Sequence, residues 1–244
     1  VCSSDLYKKA KGKLFEALDH APRFLRGAKI IPTIIANGDS EHSDYYLSFN
    51  AGRKITYGIE KGEIRATGIV AEKNGTTFVV GGEKMQLAIP GMFNVYNALP
   101  ALIVGELLGI PVETMRQGVF ALKVIPGRME LIDEGQDFTI VVDYAHEPAS
   151  LGALITAAET MKDPDGKVIL LIGVIGGGRA SRVPVAHIAA TRADAVIITN
   201  EDPYEEDPET LIRELVAVAA DNGKKEKIDL FPILDRKERS EERR

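Results

Sequence analysis

The chain has 244 residues, of which 45% are hydrophobic and 27% charged, a balance that excludes disorder as its main state. Its 30 basic and 36 acidic residues give a net charge of −6, which gives no support for binding the phosphate backbone of nucleic acids. The longest apolar run, Val168 to Ile175, is far shorter than the roughly 20 residues of a membrane span. The lone Cys2 excludes an intrachain disulfide. No signal peptide is recognisable, so we expect a cytoplasmic protein of one large or two ordinary domains.

Both ends of the chain have an unusual sequence. Residues 1–6 read Val-Cys-Ser-Ser-Asp-Leu, and residues 239–244 read Arg-Ser-Glu-Glu-Arg-Arg. Both strings match translations of common sequencing-adapter DNA. We therefore expect residues 1–6 and 239–244 to be non-native ends of an internal fragment of a longer protein. The alternative is a frayed beginning and a charged tail, which many proteins have.

The first half of the chain indicates strands mixed with helices. Residues 7–27 have the pattern of a basic amphipathic helix, and residues 29–37 form a β-branched run. Asn74-Gly75 between apolar runs is a strong hairpin signal. The remaining strand candidates, which we expect to form an antiparallel patch, are residues 53–59, 64–71, 76–80 and 85–89. Two helices are predicted next, over residues 94–109 and 111–122.

The pattern changes after a junction at residues 125–127, because strands and helices then alternate. The predicted strands are 138–142, 168–174, 195–199 and 228–233, and the predicted helices are 147–161, 183–191 and 208–220. Alternation with buried strands favours a mostly parallel, doubly wound sheet. Ligands in such sheets bind at the carboxyl ends of strands. Three polar segments fall there, at residues 143–146, 176–182 and 200–204.

The first notable segment is the glycine loop Gly176-Gly177-Gly178, followed by Arg179, between an apolar strand and a helix. Glycines let backbone amides approach a ligand, and a helix start favours negative charge. Arg179 could form a bidentate pair with a carboxylate or phosphate. The glycine spacing does not match the dinucleotide fingerprint, and no Gly-Lys-Ser/Thr occurs in the chain. A tight strand-to-helix turn is the equally compatible alternative.

Two further polar segments also follow predicted strands. Asp143 could accept hydrogen bonds from ribose hydroxyls, and His146 could contact phosphate or act as an acid or base. Composition alone favours the alternative that Asp143 or His146 caps the helix near Pro148. Glu201 and Asp202 could recognise an ammonium group or hold Mg²⁺. An acidic solvated loop is the alternative there.

The order of the motifs resembles the Mur ligase family, in particular its MurE type. The matching stretches are Gly91 to Ala98, Val124 to Glu130, Asp143 to His146, Gly176 to Arg179 and Glu201 to Pro203, with Tyr7 to Phe15 and Ala36 to Asp39 upstream. The resemblance implies a fold with two parts. Residues 1–126 would be the second half of a central ATPase domain, with a mixed sheet, and residues 127–238 a truncated Rossmann-like C-terminal domain.

The resemblance also implies an activity. It would be an ATP-dependent amide ligase of peptidoglycan synthesis, which adds the third amino acid to UDP-N-acetylmuramoyl-alanyl-glutamate through an acyl phosphate. ATP and Mg²⁺ would be the cofactors, and the muramoyl dipeptide and an amino acid would be the partners. The protein would be a monomer. The family's phosphate loop is absent from the sequence, so we expect the fragment to be inactive alone.

Residue roles follow from the matching motifs. Lys11 would become a carbamate that holds Mg²⁺. The proposed nucleotide contacts are Asn94 and Asn97 at the adenine, Arg128 at the phosphates and Asp143 at the ribose, with His146 carried by the same motif. Arg128 and Lys11 would be the catalytic residues.

For the incoming amino acid, the resemblance implies that Arg179 binds a carboxylate and that Glu201, Asp202, Pro203 and Tyr204 form the specificity loop. That loop reads Asp-Asn-Pro-Arg in diaminopimelate-adding enzymes, and Tyr204 cannot pair with a distal carboxylate as arginine does. The identity of the added amino acid therefore stays open. Alternatives are a MurF or folylpolyglutamate synthase type of ligase, or a non-catalytic nucleotide-binding module. The glycine spacing disfavours a NAD-dependent oxidoreductase.

Overall fold

The computed structural model describes residues 3–21, 24–25, 27–73 and 75–240. The chain divides into two units, Val1–Lys123 and Val124–Arg244, and each has its own hydrophobic core. No helix within the described residues is long and apolar enough to cross a membrane.

The first unit begins with helix α1, Ser3–Glu16, which continues into a short 3₁₀ turn, Ala17–His20. The helix predicted over 7–27 therefore ends early, because Ala21 precedes a proline and adopts an extended backbone with ψ 140°. Two short strands, β1 (Phe24–Leu25) and β2 (Ala28–Lys29), pair after it.

Strands β3 (Thr33–Asn37), β4 (Arg53–Gly58) and β5 (Ile64–Arg65) form a parallel sheet. The expectation of antiparallel pairing was thus wrong for this part. Helix α2, Ser43–Leu47, lies on the crossover from β3 to β4, and such a crossover returns the chain in the same direction.

Strands β6 (Thr67–Glu72), β7 (Gly75–Val80) and β8 (Glu83–Leu87) form the antiparallel sheet that the sequence predicts. Glu72 pairs with Gly75, so the predicted hairpin is present, while its residue Asn74 lies outside the described residues. Helices α3 (Met92–Leu107) and α4 (Val112–Ala121) follow. The core between α3 and the strands consists mainly of Phe78, Met85, Val95, Leu99 and Leu102.

The second unit opens with an antiparallel pair, β9 (Glu130–Ile132) and β10 (Ile140–Val142). We expected β10 to belong to the parallel sheet, and this was wrong. The turn between the two strands is held locally, because the Gln136 side chain donates to the Ile132 carbonyl oxygen at 2.7 Å. Gly135 supplies the positive φ of 88° that the turn requires.

The parallel sheet consists of β11 (Ile169–Ile175), β12 (Ala195–Asp202) and β13 (Leu230–Ile233), in that order. Helix α5 (Pro148–Met161) precedes it, α6 (Arg182–Arg192) and α7 (Pro208–Asp221) connect its strands, and α8 (Arg236–Ser240) follows. The predicted strand–helix alternation is confirmed. Within the described residues only one face of β11 is buried, since Leu170 and Ile172 lie in the core while Ile169 and Leu171 are exposed.

Candidate functional site

The three polar segments of the second unit lie where strands β10, β11 and β12 end. One boundary differs from the sequence prediction. Strand β12 extends to Asp202, which pairs with Ile175 after a shift of register in which Glu201 is the extra residue. Asn200, Glu201 and Asp202 are therefore part of the strand, and only Pro203 and Tyr204 lie beyond it.

Asp143 connects its own loop to the segment that follows the domain junction. One carboxylate oxygen accepts from the Ala145 N–H at 2.8 Å, and the other accepts from the Met129 N–H at 2.9 Å. The helix-capping alternative does not apply, because the residue at the start of α5 is Glu147. Each Asp143 oxygen keeps a second lone pair, with which it could accept a further hydrogen bond.

Arg128 is exposed, beside a residue with unusual backbone geometry. Met129 is buried and has a φ of 47°, so its hydrogen bond to Asp143 holds a turn that a non-glycine residue rarely adopts. The Arg128 guanidinium lies 5.0 Å from the centre of the Tyr144 ring. Among the described residues no carboxylate lies within ion-pair distance of Arg128, so its charge is available to an anion.

His146 and Arg179 both lie close to the carboxylate of Glu147. His146 Nδ1 is 2.9 Å from the Tyr144 carbonyl oxygen, and a carbonyl only accepts, so Nδ1 carries the proton. When the ring is neutral, Nε2 is then an acceptor. Glu147 Oε1 is 4.0 Å from His146 Nε2 and 3.8 Å from an Arg179 guanidinium nitrogen. Arg128, Asp143, His146 and Arg179 thus belong to one connected region of the second unit.

The glycine loop, Gly176 to Gly178, contacts the predicted specificity loop. The Gly176 N–H donates to the Asp202 carbonyl oxygen at 2.8 Å. A Cβ on Gly176 would collide with the Pro203 carbonyl oxygen, and one on Gly177 would lie 3.5 Å from the Tyr204 ring. The structure therefore brings the two segments together, and only glycine permits this close approach at position 176.

An internal carboxylate binds the glycine loop as well. Glu206 Oε1 accepts from the Gly178 N–H at 2.9 Å, and both Glu206 oxygens accept from Arg182 at 3.0 and 3.1 Å. The Gly178 N–H, and after it Arg182, hold the pKa of Glu206 below its usual range. Arg182 also pairs with Glu214 at 3.4 Å.

The first unit holds Asn94 and Asn97 on the first turns of α3. Asn94 is buried, and its amide donates to the Pro90 carbonyl oxygen at 2.8 Å. Its side-chain oxygen accepts from the Asn97 amide at 3.2 Å. Asn97 is exposed and keeps its side-chain oxygen and one N–H for a ligand. Of the two residues, Asn97 is thus the one that can contact a base, while Asn94 orients it.

In the first unit, the carboxylate of Asp39 connects three segments of the chain by hydrogen bonds. Asp39 accepts from the backbone N–H groups of Ile59, Glu60 and Lys61 at 2.7, 3.1 and 2.6 Å, and from the Tyr96 hydroxyl at 2.8 Å. Burial alone raises the pKa of Asp39, but these hydrogen bonds outweigh it and lower that pKa. Tyr96 lies between Asn94 and Asn97 in sequence, so Asp39 fixes the helical turn that carries both amides.

Lys11 lies on α1, with its ammonium nitrogen 4.5 Å from the centre of the Tyr7 ring. In the described part of the chain no three His, Cys, Asp or Glu side chains come together as a cation site. A Mg²⁺ ion usually keeps several waters and binds through one or two carboxylates together with substrate phosphates, so it does not require a cluster of three such side chains. Within the second unit, Arg128 has no carboxylate partner among the described residues and can pair with a phosphate. Within the first unit, Asn97 keeps a side-chain oxygen and one N–H that can contact a base.

Sequence reasoning missed Glu147, Arg182 and Glu206. Glu147 immediately follows His146 and precedes Pro148, so its place at a helix start was a usable signal. Glu206 is 28 residues from its partner Gly178, and no local pattern indicates that contact.

Comparisons with known proteins define the class. Residues 3–105 match the Mur ligase middle domain, and residues 127–239 match the glutamate ligase domain of Mur ligases. The chain belongs to the Mur ligase family.

Its relatives are MurE-type ligases. The chain is 35% identical over 231 residues to the UDP-N-acetylmuramoyl-L-alanyl-D-glutamate–2,6-diaminopimelate ligase of Geobacillus kaustophilus, covering 89% of this chain and 45% of the relative. It is 33% identical over 227 residues to the UDP-N-acetylmuramyl-tripeptide synthetase of a Roseiflexus species, covering 90% and 44%. The chain spans about half the length of the curated relatives it matches.

The solved structures show the same fold. The crystal structure of MurF from Acinetobacter baumannii superposes with a TM-score of 0.70 at 17% identity, over 96% of this chain and 47% of that chain. At this identity the likeness concerns the fold alone.

Proposed function

We propose that this chain is the nucleotide- and amino-acid-binding part of an ATP-dependent ligase that adds the third amino acid to UDP-N-acetylmuramoyl-alanyl-glutamate. The observation that carries the proposal is the connected region of Arg128, Asp143, His146 and Arg179 in the second unit. The MurE-type names of the relatives support the substrate class.

ATP, when bound, would supply the phosphoryl group that activates the acceptor carboxylate. Arg128 would neutralise the transferred phosphoryl group, since its guanidinium has no carboxylate partner among the described residues. Asp143 would accept from ribose hydroxyls with its remaining lone pairs. On the first unit, Asn97 would contact the adenine and Asn94 would orient it.

Arg179 would bind the carboxylate of the incoming amino acid, and for this it must exchange its contact with Glu147, which is long at 3.8 Å. The segment of Glu201, Asp202, Pro203 and Tyr204 would contact the far end of that amino acid.

Lys11 stays a prediction, because it would offer oxygen ligands to a metal ion only as a carbamate. We also propose that the protein works in the cytoplasm as a monomer.

The test is phosphate release by the full-length protein that contains this sequence. We expect release only when ATP, the muramoyl dipeptide and an amino acid are all present, with lysine and diaminopimelate tried separately. The mass of the product should increase by one residue. Release with a different acceptor, and none with the muramoyl dipeptide, would favour the MurF or folylpolyglutamate synthase alternative. Nucleotide binding without release in any mixture would favour the binding-module alternative.

A further inference from the structure

The glycine loop was expected either to bind an external anion or to be a simple turn, and the structure shows a third arrangement. The Gly178 N–H donates to the protein's own Glu206 carboxylate at 2.9 Å. A carboxylate that accepts a backbone N–H of a glycine loop occupies the position that a phosphate oxygen takes in anion-binding loops.

Arg182 anchors this carboxylate. Its side chain is only 15% exposed, and it forms ion pairs with Glu206 at 3.0 Å and with Glu214 at 3.4 Å. Glu214 lies on α7 and Arg182 at the start of α6. The anchor is therefore attached to two packed helices, and it joins the glycine loop to the segment that precedes α7.

The segment held by this anchor is strained. Tyr204 has a φ of 52°, a conformation that a residue with a side chain adopts only where its surroundings impose it. The Glu206 N–H donates to the Pro203 carbonyl oxygen at 3.0 Å, which closes a turn around Tyr204. The Pro203 carbonyl oxygen lies against Gly176 and the Tyr204 ring against Gly177. Contacts on both sides of Tyr204 thus depend on where Glu206 is held.

We infer that Glu206 is a positioning residue for amino-acid selection: through the Gly178 N–H and Arg182 it fixes the Glu201 to Tyr204 segment against the glycine loop. This inference rests on the proposed function, because it assigns that segment to the incoming amino acid. The glycine loop then serves to hold the specificity loop, and an external phosphate has no access to the Gly178 N–H.

The test compares Glu206→Gln with Glu209→Gln in the full-length protein. Both changes remove one negative charge near the start of α7. Among the described residues Glu209 forms an ion pair with Arg213 alone, at 3.2 Å, and the side chains of both residues are mostly exposed, so Glu209 is a matched control. Hydrogen exchange of residues 176–178 should become about tenfold faster in Glu206→Gln and stay unchanged in Glu209→Gln.

Kinetics separate a positioning role from a structural one. In Glu206→Gln we expect the KM for the amino acid to rise about tenfold, while kcat and the KM for ATP stay within about twofold. Glu206→Asp keeps the carboxylate and should give an amino-acid KM between those of the wild type and Glu206→Gln.

Three results would overturn the inference while the wild type still turns over. The first is unchanged exchange of residues 176–178 in Glu206→Gln, and the second is an unchanged amino-acid KM. The third is an equal rise of the KM values for ATP and the amino acid together with a lower melting temperature. Absence of phosphate release by the wild-type protein with every amino acid would instead overturn the proposed function, so the two failures are distinguishable.

Discussion

Two carboxylates hold loops in the two units, and their partners differ. Asp39 in the first unit accepts from three consecutive backbone N–H groups and from the neutral Tyr96 hydroxyl. Glu206 in the second unit accepts from one glycine N–H and shares the Arg182 cation with Glu214.

The difference indicates what each carboxylate does. Without Asp39, three backbone N–H groups and the partly buried Tyr96 hydroxyl would lose their acceptor at the same time, and each lost hydrogen bond costs about 1 kcal/mol. Without Glu206, Arg182 keeps its ion pair with Glu214, so its mostly buried charge is not left without a partner. Asp39 should therefore be mainly a stability element, and Glu206 mainly a positioning element.

The largest effect on stability is expected from Asp39→Ala. It should lower the free energy of unfolding by about 2 kcal/mol, because water can replace only part of the lost hydrogen bonds of this half-buried group. Urea unfolding of the full-length protein measures the change. Asp44→Ala, which alters an exposed aspartate of the same unit, should change stability by less than about 0.5 kcal/mol. Equal losses in the two variants would remove the basis of the comparison, as would a larger loss in Glu206→Ala.

A smaller effect is expected from Tyr96→Phe, which removes one of the four donors to Asp39. The loss should be about 1 kcal/mol at neutral pH. Burial, and then the hydrogen bond to Asp39, raises the pKa of Tyr96 to about 12. The stabilisation is therefore fully present below about pH 10, the usual tyrosine pKa, and is lost as the pH rises through the folded-state pKa.

The pH series of urea unfolding checks this interpretation. The wild type should lose stability between about pH 10 and 12 as Tyr96 loses its proton. Tyr96→Phe has no such proton, so its stability should fall less over this range. Tyr46→Phe is the control, since its ring packs against Phe15 and Tyr45 and its hydroxyl makes no hydrogen bond within the described residues. The same dependence of stability on alkaline pH in wild type and Tyr96→Phe would contradict a raised pKa of Tyr96 in the folded protein.

The sequence was sufficient where local patterns decide the structure. The alternation of β11, α6, β12, α7 and β13 follows from apolar runs and helical periodicity, which depend on neighbours in sequence. Pairing partners are a different matter, since β4 could pair with either neighbour in either direction. Likewise, the turn at Gly135 directed β10 to β9, and no pattern within β10 itself distinguishes that partner from β11.

The same division holds for the candidate site. Arg128, Asp143 and His146 stand in compact motifs and were singled out from the sequence. Acidic residues such as Glu206 look like solvated loop residues, and their roles depend on distant partners. Tyr96 is 57 residues from Asp39, so only the folded chain shows that this tyrosine orients the turn that carries Asn97.

The most direct test of the account is the activity of Arg128→Ala in the full-length protein, measured as ATP-dependent phosphate release. The account predicts a kcat at least about 100-fold below wild type, because a cation aligned with a transferred phosphoryl group contributes strongly to such reactions. Arg213→Ala, which removes an exposed arginine of the same unit paired with Glu209, should retain wild-type turnover. Wild-type turnover in Arg128→Ala would contradict the claim that this region of the second unit binds the nucleotide phosphates.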